Sequence, residues 1–204
     1  MKKLDLMLAV LVLCAGARVS AQEQEAISNY GQGGFPDFAA GGAGFGFRPV
    51  VNISVTSLGY WQSGFSDYSR ESGTVQVSIW DSTGDLLSTA LITGTDPTFD
   101  QTCYQTISPL TLYAGKTYFI GGVEPDLGAW AGDWTVKGFS ASPDITYLGV
   151  ATGANMWEEL RDHTLGDLAA GVNFQFTVVP EPSTLALGGL GIATLALFAR
   201  KPSQ

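Results

Sequence analysis

Apolar and polar residues alternate with period two from Pro49 onward. Val51, Ile53 and Val55 alternate with Asn52, Ser54 and Thr56, the pattern of a strand buried on one face. Val75, Val77 and Ile79 alternate in the same way with Gln76, Ser78 and Trp80. A polar turn follows, Asp81-Ser82-Thr83-Gly84-Asp85, with glycine where a positive φ is wanted, and the return strand is predicted over 86–93. Further strands are predicted over 103–107, 110–113, 116–123 after the Ala114-Gly115 turn, 145–150 and 173–179. Seven or eight short strands separated by glycine, proline and aspartate predict an all-β domain, an antiparallel β-sandwich or jelly roll. Asn155 and Glu158 have the spacing of a capping box, with Trp157 and Leu160 on a shared face, so a short helix or an irregular loop fits there equally well.

Both ends of the chain break this pattern with continuous apolar runs, and both predict helices outside the domain. Met1-Lys2-Lys3, the apolar run 6–15 and Val19-Ser20-Ala21 have the three parts of a secretory signal peptide, with cleavage between Ala21 and Gln22. Export through the general secretion machinery and signal peptidase follows. Cys14 lies inside the apolar run after Leu13 and reads as part of the signal helix, not as a lipidation site. At the other end come Pro180-Glu181-Pro182, an apolar run over 185–199 and the basic stop Arg200-Lys201. That run falls short of the ~20 residues that span a bilayer comfortably, so 183–199 is suited to transient insertion. Arg200 and Lys201 would remain cytoplasmic, with everything before Pro180 outside. The two prolines delay the helix and leave the triplet as an extended peptide.

This tail resembles the PEP-CTERM sorting signal of bacteria with a diderm envelope. The resemblance implies a membrane-anchored precursor cut by an exosortase, with the mature protein at the cell surface or in the extracellular matrix of a biofilm. A second resemblance rests on three runs: Val55-Thr56-Ser57-Leu58-Gly59-Tyr60-Trp61, 75–87, and 108–118 beginning Ser108-Pro109-Leu110. They are similar to an uncharacterised β-sandwich domain of secreted bacterial proteins, often found just upstream of a PEP-CTERM tail. The similarity covers most of 53–176 and implies a fold, with no site residues to carry over. The organisation expected is signal peptide 1–21, a Gly/Phe-rich lead-in 22–47, the sandwich 48–179 and the sorting signal 180–204; the glycine density of the lead-in argues against a helix and for a loop followed by a first strand, held loosely.

Charge narrows the partners. The formal net charge is −9, and it becomes −12 once Lys2, Lys3, Arg18, Arg200, Lys201, Asp5 and Glu181 leave with the two signals. Such a surface repels nucleic acid and anionic lipid. Only Cys103 remains in 22–179, so no intrachain disulfide forms there, and its place beside Tyr104 in a predicted strand suits a small buried thiol.

Catalytic chemistry finds little to stand on. The chain has one histidine, His163, near Glu158, Glu159 and Asp162, and neither 64–68 nor 138–142 has the final glycine of a nucleophile elbow. Zinc is disfavoured with one histidine and one mature cysteine. No enzyme activity and no organic cofactor is expected, although two acids brought together by folding would escape detection at this level. Binding has more to offer. Trp61, Trp130 and Trp134 lie in or beside glycine-rich loops, with Glu124, Asp126 and Asp133 around the last two. Flat rings beside carboxylates suit a sugar, and the same acids suit Ca²⁺, though without EF-hand spacing. The competing use of the tryptophans is to plug the ends of the sandwich while the acids solvate its loops. The reading is therefore a structural or adhesive exported protein associated with exopolysaccharide, with a carbohydrate-binding module as the alternative.

Overall fold

The computed structural model describes residues 22–28, 42–61, 74–123, 135–137, 139–153 and 168–180. Residues Gln22–Val179 form one compact unit. Of the other unit, Met1–Ala21 with Pro180–Gln204, only Pro180 is among the described residues. The predicted terminal helices, the basic stop at Arg200 and Lys201 and the stretch around Asn155 therefore lie outside them. Among the described residues no helix is long and apolar enough to cross a membrane.

Fourteen strands occur among the described residues, all paired antiparallel. In chain order they are β1 (Gln24–Glu25), β2 (Ile27–Ser28), β3 (Gly42–Pro49), β4 (Ile53–Trp61), β5 (Thr74–Asp81), β6 (Leu86–Thr93), β7 (Thr98–Phe99), β8 (Thr102–Leu112), β9 (Tyr118–Val123), β10 (Thr135–Lys137), β11 (Ser140–Ala141), β12 (Ile145–Gly153), β13 (Leu168–Ala170) and β14 (Val172–Val178). One five-stranded sheet has the order β1-β14-β4-β8-β7, the other β12-β3-β9-β5-β6, and β10-β13 and β11-β2 are small ribbons.

The arrangement is the expected sandwich. Ile53, Val55, Leu58, Val172, Phe174 and Phe176 from the first sheet meet Phe45, Phe47, Val75, Val77, Ile79 and Ile120 from the second in one buried cluster. Its centre is aromatic: the Phe47 ring of β3 lies 4.7 Å from that of Phe174 on β14 and 5.9 Å from that of Tyr118 on β9. Burying such rings on both inner faces supplies most of the favourable area term.

The β5–β6 hairpin matches its sequence signal closely. Gly84 adopts φ +92°, and Asp81 Oδ1 accepts from the N–H groups of Thr83 (2.8 Å) and Asp85 (3.1 Å) and from Thr83 Oγ1 (2.6 Å). This is an aspartate organising its own turn.

Three expectations change. The extra strands beyond seven or eight are mostly pieces of two or three residues, too short to leave a periodic trace. The two strands predicted over 103–107 and 110–113 are one strand, β8. Pairing shifts from Val55↔Leu110 to Ser57↔Thr106, so β8 bulges around Pro109, where the missing N–H needs no ladder partner. The Gly/Phe-rich segment 22–47 is not a mere lead-in over its described residues. Gln24–Glu25 is an edge strand of the first sheet, and Gly42–Pro49 is an interior strand of the second, with Phe45 and Phe47 fully buried. The alternation of glycine with phenylalanine is itself a period-two pattern that places both rings on the core face.

Candidate functional site

Two constellations of polar and aromatic side chains emerge from this frame. The first is a cleft of about 600 Å³ at one end of the sandwich, between the β5–β6 turn and the β8–β9 connection. Asp81, Thr83 and Leu87 line one part of it, and Thr111, Tyr113 and Lys116 another.

The β8–β9 connection is fixed by backbone groups. Gly115 has φ +75° with open space where a Cβ would stand, and its N–H donates to Pro49 O (2.8 Å). Ala114 N donates to Asn52 Oδ1 (2.9 Å), and Tyr113 N donates to the buried Tyr118 hydroxyl (3.1 Å). So tethered, the turn presents Tyr113 with 54% of its surface exposed. Lys116 Nζ stands 5.2 Å from the centre of that ring, a cation–π distance. Arg48, at the end of β3, donates to Thr117 Oγ1 (3.2 Å), which also lines the cleft. Across the cleft, the donors on Oδ1 hold the Asp81 carboxyl below its usual range, the Thr83 hydroxyl contributing most.

The second constellation is a buried polar relay on the first sheet. Asn173, Gly59 and Tyr104 are direct cross-strand neighbours on β14, β4 and β8 and therefore share a face. The Tyr104 hydroxyl donates to Glu25 Oε1 (2.5 Å) and accepts from Asn173 Nδ2 (2.8 Å). Asn173 also donates to Ile27 O (2.8 Å) and accepts from Ile27 N (3.1 Å) and Phe174 N (2.9 Å). Burial pushes the Glu25 carboxyl up to about 7, helped by the charge of Asp100 and opposed by the Tyr104 hydroxyl. The relay ties down β1 and the start of β2. It is structural, because its polar atoms are directed at each other.

Of the residues singled out from sequence, Trp61 ends β4 with 8% of its surface exposed, and its backbone N–H donates to Gly171 O (2.8 Å). It belongs to the buried cluster, which is the plugging use of that ring. Trp130, Trp134, Glu124, Asp126 and Asp133 lie outside the described residues, as do Ala21, Glu181 and Pro182. Gln22, which begins the compact unit, and Pro180, which follows its last residue, are exposed. Among the described residues no three His, Cys, Asp or Glu side chains gather as a metal site would require. Cys103 is fully buried, with Thr98 Oγ1 at 3.7 Å, and burial raises its thiol pKa, so it is a packing group.

Sequence reasoning missed Tyr113 and Lys116. The available signal was an aromatic and a cation flanking a glycine turn in a chain poor in cations, which reads equally well as an ordinary solvated loop.

A family model described as "Domain of unknown function (DUF4082)" matches residues 21–150, and one described as "PEP-CTERM protein-sorting motif" matches residues 178–201. No curated protein matches the chain.

Proposed function

The chain belongs to the DUF4082 family and is an exported protein with a membrane-anchored, exosortase-processed precursor; from that premise we propose that its sandwich is a non-enzymatic structural or adhesive component of the cell surface or of an exopolysaccharide matrix. The observation that carries the proposal is where the fold closes. β14 ends at Val178, Val179 N donates to Asn52 O (2.9 Å), and Pro180 is exposed. The first strand, β1, pairs with β14, so both ends of the module are fastened within one sheet. Processing at either signal removes no described strand of the sandwich. A module that survives the loss of both ends intact is suited to release and deposition.

The non-enzymatic part rests on chemistry. The one thiol of 22–179 is packed inside, and the raised carboxyl of Glu25 serves a structural relay. The alternative, a carbohydrate-binding module using tryptophan loops with or without Ca²⁺, now depends on Trp130 and Trp134, since Trp61 is packed in the core.

The test compares the native bacterium with a strain lacking its exosortase. The termini are mapped by intact mass and peptide analysis in medium, matrix and membrane fractions. A matrix-associated chain beginning at Gln22 and ending near Pro180, present only with the exosortase, is expected. A chain still carrying 185–204 in both strains, or a processed chain wholly free in the medium, would overturn the proposal.

A further inference from the structure

We propose that the cleft bounded by Tyr113, Lys116 and Thr117 binds an acidic polysaccharide, with a uronate-type sugar ring lying on Tyr113 and its carboxylate held by Lys116 and Arg48. The inference rests on the matrix reading above and names its ligand class and contact site.

The argument starts from charge. Residues 22–179 carry five cations, Arg48, Arg70, Lys116, Lys137 and Arg161, in a segment of formal net charge −12. One of the five, Lys116, lines this cleft, and a second, Arg48, stands behind it, donating to the lining residue Thr117 (3.2 Å). Both are exposed, and neither forms an ion pair with a described residue. Cations with no carboxylate partner among the described residues leave their charge available to a ligand.

The remaining lining fits a sugar better than a simple anion. A uronate presents C–H groups on one face of its ring, hydroxyls around the rim and one carboxylate. Tyr113 supplies an exposed aromatic face for the C–H side. Thr111 and Thr117 supply hydroxyls that donate or accept. Asp81 takes its turn donors on Oδ1, which leaves Oδ2 to accept a sugar hydroxyl. The volume, about 600 Å³, is within the range of small-ligand sites. The tethered turn holds Tyr113 and Lys116 in place before binding, which lowers the ordering cost. An acidic peptide such as poly-glutamate would use the two cations but presents no rigid ring face of C–H groups to Tyr113.

The experiment uses the processed protein purified from the matrix fraction of the native bacterium. Its retardation is measured by affinity electrophoresis in gels containing polygalacturonate, neutral dextran or poly-glutamate, at two salt concentrations, beside Lys116→Gln, Arg48→Gln and Tyr113→Ala. All three positions are exposed, and unchanged melting temperatures confirm that the variants fold. Expected is salt-sensitive retardation by polygalacturonate alone, weakened about tenfold by Lys116→Gln and further by Tyr113→Ala. Retardation by polygalacturonate that the substitutions leave unchanged would overturn the assignment of the cleft. Equal retardation by poly-glutamate would replace the sugar with an acidic polypeptide. Equal retardation by dextran would remove the role of the cations. Absence of retardation in a protein that still fractionates with the matrix would sink the cleft and spare the matrix reading; loss of matrix association would sink that reading itself.

Discussion

Asn173 on β14 pairs with Ile27 through both of its amide atoms, Nδ2 donating to Ile27 O at 2.8 Å and Oδ1 accepting from Ile27 N at 3.1 Å. The side chain thus imitates a neighbouring strand for a segment that has left the β1–β14 ladder. All of these atoms are buried, and the partners are 146 positions apart in the chain. Replacing Asn173 with alanine strands the Ile27 N–H and C=O and the Phe174 N–H in a dry site. A loss of roughly 3 kcal/mol is expected, since each unsatisfied buried group costs about 1–3 kcal/mol. Urea unfolding of the processed protein measures it, and a loss below 1 kcal/mol would mean that water or a neighbour replaces the amide.

The Glu25 carboxyl predicts a stability that falls as pH rises. Its folded pKa is about 7 against an ordinary 4.5. Below 4.5 the group is protonated in both states and costs nothing. Between 4.5 and 7 the unfolded chain releases the proton while the folded chain keeps it, and stability drops until the folded group also ionises. Melting temperatures measured from pH 4 to 8 should therefore decline through that window and level off above it, and Glu25→Gln should flatten the decline. Asp81 is shifted the opposite way, below its ordinary 3.8, so its effect appears only at more acid pH.

How much of this was legible in the sequence depends on the range of the interactions. The β5–β6 hairpin was readable almost to the residue, because its alternation, its aspartate and its glycine all act within a few positions. β3 was legible only as a first strand after a glycine-rich loop, and its place inside the second sheet was hidden until Phe45 and Phe47 are seen to share the core face. The Asn173 relay was not readable at all, since nothing local marks an asparagine whose distant partners lie on two other segments, β2 and β8. The cleft was likewise hidden, because Arg48 reaches Thr117, next to Lys116 in the chain, only through the pairing of β3 with β9.

Gly59 is fixed by the ring beside it. A Cβ there would collide with Tyr104 Cε1 and Cδ1 and with Thr102 Cγ2. The ring cannot swing aside freely, because its hydroxyl is held by both Glu25 and Asn173. Gly59→Ala should destabilise the protein by about 1–3 kcal/mol, as overpacking does. In a Tyr104→Ala background the penalty should shrink but not vanish, because the obstructing ring is gone while Thr102 Cγ2 remains. An equal penalty in both backgrounds would place the cause in the backbone, not in the contact.

The β7–β8 turn carries backbone strain. Thr98 pairs with Cys103 and Phe99 with Thr102, which leaves a two-residue loop in which Asp100 has φ +41° and Gln101 has φ +66°. Aspartate tolerates this region through its short side chain, but glutamine gains nothing there. Glycine at 101 would relieve about 1–2 kcal/mol of left-handed strain and would return about 0.4–1 kcal/mol through the freer unfolded chain. Gln101→Gly should therefore stabilise by about 0.5–1 kcal/mol, whereas Gln101→Val, branched at Cβ, should destabilise by about 1 kcal/mol. Thermal or urea unfolding of the three proteins gives the ranking. The order Gly above Gln above Val is required; a Val variant as stable as the parent would show that the turn relaxes to a negative φ at little cost.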